Sequence, residues 1–463
     1  MDGPQPGEGA RGARVRPGRV SLAGEMHDRL GWTRAVPDSQ SLWPVWSRFA
    51  AVVRRDGLDR VLICGMGGSS LTPQVLVRSF RVTGVDVLDS TDPAAVRAAE
   101  QAHPLERTLF LIVSKSGSTV ETLAAYHYFA ARAHPEQFVA VTDPGSALER
   151  LATERKFRTT FPHPADVGGR YAALTVVGML PAALAGIDGA TLLERARATS
   201  VEEARALGGS LAAAAAAGRD KLALRPPAAV AALAGWIEQL VAESSGKDGR
   251  GLVPVVGDPG LTGDDVEVVR DFSADPLDLG REFLRWEYAT WELCNRLSVD
   301  AFDQPNVEEA KAMAKAELAK PGGSGGEAPA TLTPAALRRA ARPGDYLALL
   351  AYLPPRPDLE EALQRARLAW GRALGIATTV GLGPRYLHST GQLHKGGPGT
   401  GLFLVVTTEP ALDLDIPAMR TTFGRLERAQ AIGDVRALLA RGRRVCHVHL
   451  PRVEDVKQLA TLV

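Results

Sequence analysis

The chain has 463 residues, a formal net charge of +1, 45% hydrophobic and 23% charged residues. These values describe a globular protein of two or three domains and exclude a fibrous or largely unstructured chain. The near-zero charge leaves no global field to draw the chain to nucleic acid or anionic lipid, so neither is expected as a partner.

Residues 1–22 are rich in Gly, Pro and Arg and read as a disordered leader without a signal-peptide core. Strand-like apolar runs follow at 60–65, 85–90, 108–114 and 137–143, with helical stretches at 72–81, 92–101 and 119–134 between them. This alternation predicts an α/β protein of three-layer, doubly wound, mainly parallel sheets. The apolar stretch 172–187 is short for a membrane span and carries Pro181, so it predicts a buried helix pair or kinked helix. From about 170 to 250 the pattern reads as mostly helical, then a strand at 251–258 and a long helix near 278–297. KPGGSGGEAPAT at 320–331 is a linker, beyond which strand-like 345–354, 376–382, 401–408 and 445–451 alternate with helical 357–374 and 420–441. The expected units are therefore 23–190, 191–320 and a smaller α/β unit at 332–463. Cys64, Cys294 and Cys446 are widely spaced and odd in number, which reads as buried reduced thiols and a cytoplasmic setting.

The run VLICGMGGSSLTP at 61–73 ends a strand in Gly65, Gly67 and Gly68 as a helix begins. The first N–H groups of a helix lack partners, so such a loop binds an anion. A dinucleotide would ask for one such loop and an acidic residue about 20 positions on, which Asp86 or Asp89 could supply. A second loop, SKSGST at 114–119, changes the balance. Its hydroxyls, free N–H groups and Lys115 suit the three terminal oxygens of a phosphate monoester. Gly67, Gly68, Ser69, Ser114, Lys115, Ser116 and Thr119 are the candidate substrate-binding residues, for a phosphosugar. No cluster has metal-ligand spacing, and neither metal nor cofactor is expected.

GMGGSS (65–70), SKSGSTVET (114–122), VGGRYAALTVVG (167–178), ESSGK (243–247), GLVPVVGDPG (251–260) and AFDQPNVEEAK (301–311) together resemble the phosphoglucose isomerase family of the sugar isomerase (SIS) superfamily. The segment 382–398, LGPRYLHSTGQLHKGGP, resembles the isomerase half of chains that fuse transaldolase to such an isomerase. The resemblance implies two SIS-like subdomains, interconversion of glucose 6-phosphate and fructose 6-phosphate through an enediol, and a homodimer whose site is completed across subunits. It also implies that Arg170 stabilises the enediolate, that Gln304 contacts the phosphate end and that Lys311 assists ring handling. Seven residues separate Gln304 from Lys311, so the two can share one helix face. Where the family carries a glutamate base, this chain reads GDPG and offers Asp258, about 1 Å shorter in reach. Glu243, a wall residue in the ESSGK match, is the other carboxylate that could serve. The family's ring-opening histidine has no counterpart in 276–289; His388, and after it His394, are the candidates in the later glycine-rich loop. His447 and His449 alternate in a strand-like run and read as packing residues. A non-catalytic phosphosugar-binding protein is the alternative function.

Overall fold

The computed structural model describes residues 29–319 and 328–462; the leader at 1–22 and residues 320–327 of the linker lie outside them. The alternating pattern becomes three parallel sheets. The first contains β1 (Arg60–Cys64), β2 (Val85–Leu88), β3 (Thr108–Val113), β4 (Phe138–Thr142) and β5 (Thr159–Pro162) in the order β2-β1-β3-β4-β5. TLFLIV and FVAVT are apolar on both faces because helices cover both, and every residue of β3 and β4 is buried. The chain steps one way from β1 to β2 and the other way to β3, so a topological switch point opens at the carboxyl ends of β1 and β3. That crevice is where open α/β sheets bind ligands, and the loops at 65–68 and 114–119 leave the strands there.

The second sheet has β6 (Lys221–Leu224), β7 (Val253–Val256) and β8 (Val266–Val269) in the order β7-β6-β8. The stretch 170–250 is mostly helical as expected, with the four-residue β6 as a strand within it. The third sheet, from the C-terminal unit, contains β9 (Tyr346–Tyr352), β10 (Ala377–Leu382) and β11 (Gly401–Thr408). A short antiparallel ribbon of β12 (Asp415–Ile416) and β13 (Thr421–Thr422) intervenes before β14 (Arg444–Leu450), and the sheet order is β10-β9-β11-β14. The stretch 172–187 contains one helix, Val176–Leu184, with Pro181 inside it and every residue buried. Among the described residues no helix is long and apolar enough to cross a membrane. The three cysteines are buried and unpaired.

The third sheet is packed into the rest rather than tethered beyond it. Val253 and Val255 of β7 share a core with Tyr346, Ala348 and Leu350 of β9. Arg367, on the helix Pro357–Leu374 and wholly buried, donates from Nη1 to Val256 O at 3.0 Å and Thr378 O at 2.8 Å, and from Nη2 to Gly257 O. One guanidinium thus ties the end of β7 to β10, with bonds worth about 1.5–3 kcal/mol each where the donor is charged. Phe423 and Leu426, from the helix Phe423–Ala440, join the core of the first sheet beside Leu62 and Phe110. The same helix lies so close to the helix Pro305–Leu318 that a Cβ on Gly433 would meet Ala314 N at 2.6 Å.

Candidate active site

Gly67 has φ +60° and precedes the helix Gly68–Ser79, a conformation that side chains rarely adopt. Close approach is the second reason for glycine here. A Cβ on Gly67 would lie 2.7 Å from Gln239 Nε2 and 3.0 Å from His388 O; one on Gly68 would lie 2.1 Å from Gly169 O. Three remote segments therefore close on this loop. Part of its N–H capacity is used inside the turn, where Ser69 and Ser70 donate to Met66 O and Gly67 O.

In the second loop Ser114 Oγ and Thr119 Oγ1 are 3.0 Å apart, Ser116 Oγ and Ser118 Oγ are 2.8 Å apart, and Gly117 N–H donates to Ser114 Oγ. The result is a cluster of mutually bonded hydroxyls at the start of the helix Val120–Ala130. Thr119 occupies the N-cap position but its side chain makes no capping bond. Lys115 is placed differently from the point charge expected in that cradle. Its ammonium donates to Asp143 Oδ2 at 2.8 Å and Ala165 O at 2.9 Å.

Arg170, nearly buried, follows the two glycines of the VGGR turn. Nε donates to Ser244 Oγ and Ala301 O, Nη2 donates to Ala301 O and Asp303 O, and Nη1 forms an ion pair with Glu243 Oε1 at 2.9 Å. Glu243 ends the helix Leu233–Ser245, and Gln239, four residues earlier on the same face, donates from Nε2 to both Glu243 Oε2 and His388 O. The buried Glu243 carboxylate thus accepts from Gln239 and pairs with Arg170.

His388 Nε2 is 2.9 Å from Glu121 Oε1, in the first turn of the helix that leaves the hydroxyl loop. Gln430 also donates to Glu121 and accepts from Thr91 Oγ1. Burial alone would raise the Glu121 carboxyl, but the charge and hydrogen bond of His388 outweigh it and hold the carboxyl below its usual range. Gln304 is the half-buried N-cap of the helix Pro305–Leu318, next to the Asp303 carbonyl that Arg170 holds. Lys311, exposed on that helix, acts on Glu121 through its charge.

Asp258 is not brought to this cluster. It begins the turn after β7, where its Oδ1 accepts from Gly260 N–H at 3.2 Å and it faces the charge of Arg367. His394 is buried against Tyr346 and Phe403, with Nδ1 3.1 Å from the Tyr346 hydroxyl, and burial pushes its pKa well down. His447 and His449 both hydrogen-bond Thr407, and burial lowers His447 to about 4. Gln239 and Gln430 are site residues that no motif signalled. Glu121 has an ordinary reading as a favourable charge at a helix start, and only its meeting with His388 distinguishes it.

Residues 53–201 match the phosphoglucose isomerase family. That stretch contains both loops and Arg170, while Glu243, Gln304, Lys311 and His388 lie beyond it. The chain is 34% identical over 266 residues to a glucose-6-phosphate isomerase of Rubrobacter xylanophilus, covering 51% of this chain and 61% of that protein. It is 35% identical over 187 residues to the Thermus thermophilus enzyme of the same name, covering 38% and 44%. The matches thus span less than two thirds of either relative. A solved glucose-6-phosphate isomerase from Chlamydia trachomatis shares the fold, with a TM-score of 0.50 and 17% identity over 60% of this chain and 72% of that one. The likeness to the phosphoglucose isomerase family is thus carried by residues 53–201, and the chain spans less than two thirds of the length of the relatives it matches.

Proposed function

We propose that the protein interconverts glucose 6-phosphate and fructose 6-phosphate through an enediolate. The observation that carries this reading is the pairing of Glu243 with Arg170, bridged through Gln239 to the backbone of His388, which itself pairs with Glu121. The hydroxyl loop and the start of its helix take the phosphate, and its binding fixes the sugar's reacting end against the carboxylate. Glu243 removes the proton from C2 of the open-chain aldose and returns it to C1. Arg170 donates from Nη1 to the oxygen on which charge develops. His388, oriented by Glu121, exchanges the proton needed to open the ring, and Lys311 supports it from the exposed side. Gln304 contacts the sugar where the Arg170 turn meets its helix.

This reading moves the base from Asp258 to Glu243. The non-catalytic alternative drew its support from the shortened GDPG carboxylate and the missing histidine in 276–289, and it weakens with a different carboxylate at Arg170 and His388 paired with Glu121. A homodimer is part of the proposal, to be checked by sedimentation, although Glu121, Arg170, Glu243, Gln304, Lys311 and His388 all come from one chain. The test of function is fructose 6-phosphate turnover coupled to glucose-6-phosphate dehydrogenase. Turnover supports the reading. A fructose 6-phosphate thermal shift without turnover would instead favour the binding protein.

A further inference from the structure

Lys115 is the cation of the hydroxyl loop, yet its ammonium turns to the opposite side. It forms an ion pair with Asp143 Oδ2 at 2.8 Å and donates to Ala165 O at 2.9 Å. Asp143 follows β4, and its other oxygen accepts from Nδ1 of buried His163 at 2.9 Å. The backbone repeats the connection, since Asp143 N–H and Thr142 Oγ1 both donate to Lys115 O. His163 N–H in turn donates to Thr142 O, so His163 continues the edge of the sheet.

The far end of this strut is the informative one. Ala165 lies five residues before Arg170 on a short stretch fixed by Val167 N–H to Pro164 O, and by Gly31 N–H to Asp166 O. Asp143 thus joins the loop at the phosphate end of the crevice to the segment that presents the arginine at its reacting end. A phosphate monoester held by hydroxyls and N–H groups does not need the ammonium as a ligand. It does need the spacing between the two ends to be fixed, because a misplacement of about 1 Å costs rate steeply.

We propose that Asp143 is a positioning residue which, with His163, holds Lys115 as a strut between the phosphate loop and the Arg170 turn, and that Lys115 is not itself a phosphate ligand. The proposal rests on the reading of Ser114–Thr119 as the phosphate cradle. The two roles open to Lys115 give opposite signs in one experiment. Inorganic phosphate and fructose 6-phosphate are titrated calorimetrically into the wild-type protein, Asp143→Asn and Lys115→Met.

As a strut, Lys115 loses its anchor in Asp143→Asn, and both ligands bind about tenfold more weakly, the size of one lost charge-assisted bond. KM for fructose 6-phosphate rises accordingly, and Lys115→Met in the Asp143→Asn background adds little. As a ligand restrained by Asp143, Lys115 would be freed in Asp143→Asn, and phosphate would bind more tightly; that result overturns the proposal. So would a variant that melts earlier while the folded protein keeps wild-type affinity and KM. Hydrogen exchange of the 114–119 amides supplies a ligand-free readout, expected to accelerate in Asp143→Asn; unchanged exchange counts against the strut. Wild-type protein that binds neither ligand would refute the cradle, and the exchange result would still decide the strut.

Discussion

Glu243→Gln is the perturbation that bears most directly on the chemistry. At 2.9 Å from Arg170, the carboxylate gains roughly 332/(20 × 2.9), or about 6 kcal/mol, at an effective dielectric near 20. Desolvation of the two buried groups offsets several kcal/mol of that. The amide keeps one oxygen for Arg170 Nη1, but its NH₂ then faces the NH₂ of Gln239, which now donates to Glu243 Oε2. Arg170 retains the carbonyls of Ala301 and Asp303, so the net cost to stability is about 1–3 kcal/mol and the variant folds. The catalytic loss is larger. Removing a positioned general base lowers turnover about 10²- to 10⁴-fold, or about 3–5 kcal/mol of barrier. The assay is coupled fructose 6-phosphate turnover, with deuterium incorporation from solvent at the sugar carbons as a second readout, beside Asp258→Asn. The expected outcome is collapse of both signals in Glu243→Gln and unchanged turnover in Asp258→Asn. A folded Glu243→Gln protein with near wild-type kcat, or loss of activity in Asp258→Asn, refutes the assignment.

Gly68→Ala should destabilise the protein by about 1–3 kcal/mol in a thermal melt, because the new Cβ would sit 2.1 Å from Gly169 O and push the first loop from the Arg170 turn. His388→Ala should slow turnover of cyclic sugar phosphates about 10²-fold or more, and much less for a substrate analogue unable to cyclise; equal losses on both would remove its ring-opening role. Glu287 is wholly buried, and burial holds its carboxyl well above the usual 4.5. The unfolded chain releases this proton first, so the group costs stability as pH rises from about 4.5 toward the folded value. Glu287→Gln should flatten that part of the melting temperature against pH, and an unaltered profile would count against a protonated buried carboxyl.

Long apolar runs such as TLFLIV and GLFLVVTT stand out in the sequence as strands. TTFP, KLAL and VEVV are four residues each and show no such run; KLAL also follows an alanine-rich helix. The two loops and Arg170 were legible because glycine and hydroxyl patterns report local geometry. The base was not. Asp258 and Glu243 flank β7, and the choice depends on which helix face turns toward Arg170 and on the β7 turn running toward Arg367. The His388–Glu121 pair joins residues 267 positions apart, and no local pattern encodes that meeting.

The buried guanidinium of Arg367 gives the linker a different meaning. By composition, 320–331 is the natural place to cut the chain. A cut there would separate Arg367 from the carbonyls of Val256 and Gly257, and would strip β7 of the apolar partners it shares with β9. The N-terminal piece would keep both anion loops yet carry a raw sheet edge, the kind of surface on which chains stick to one another. What the sequence punctuates as two sentences folds as one, joined at that seam rather than at the glycine-rich stretch that advertises itself.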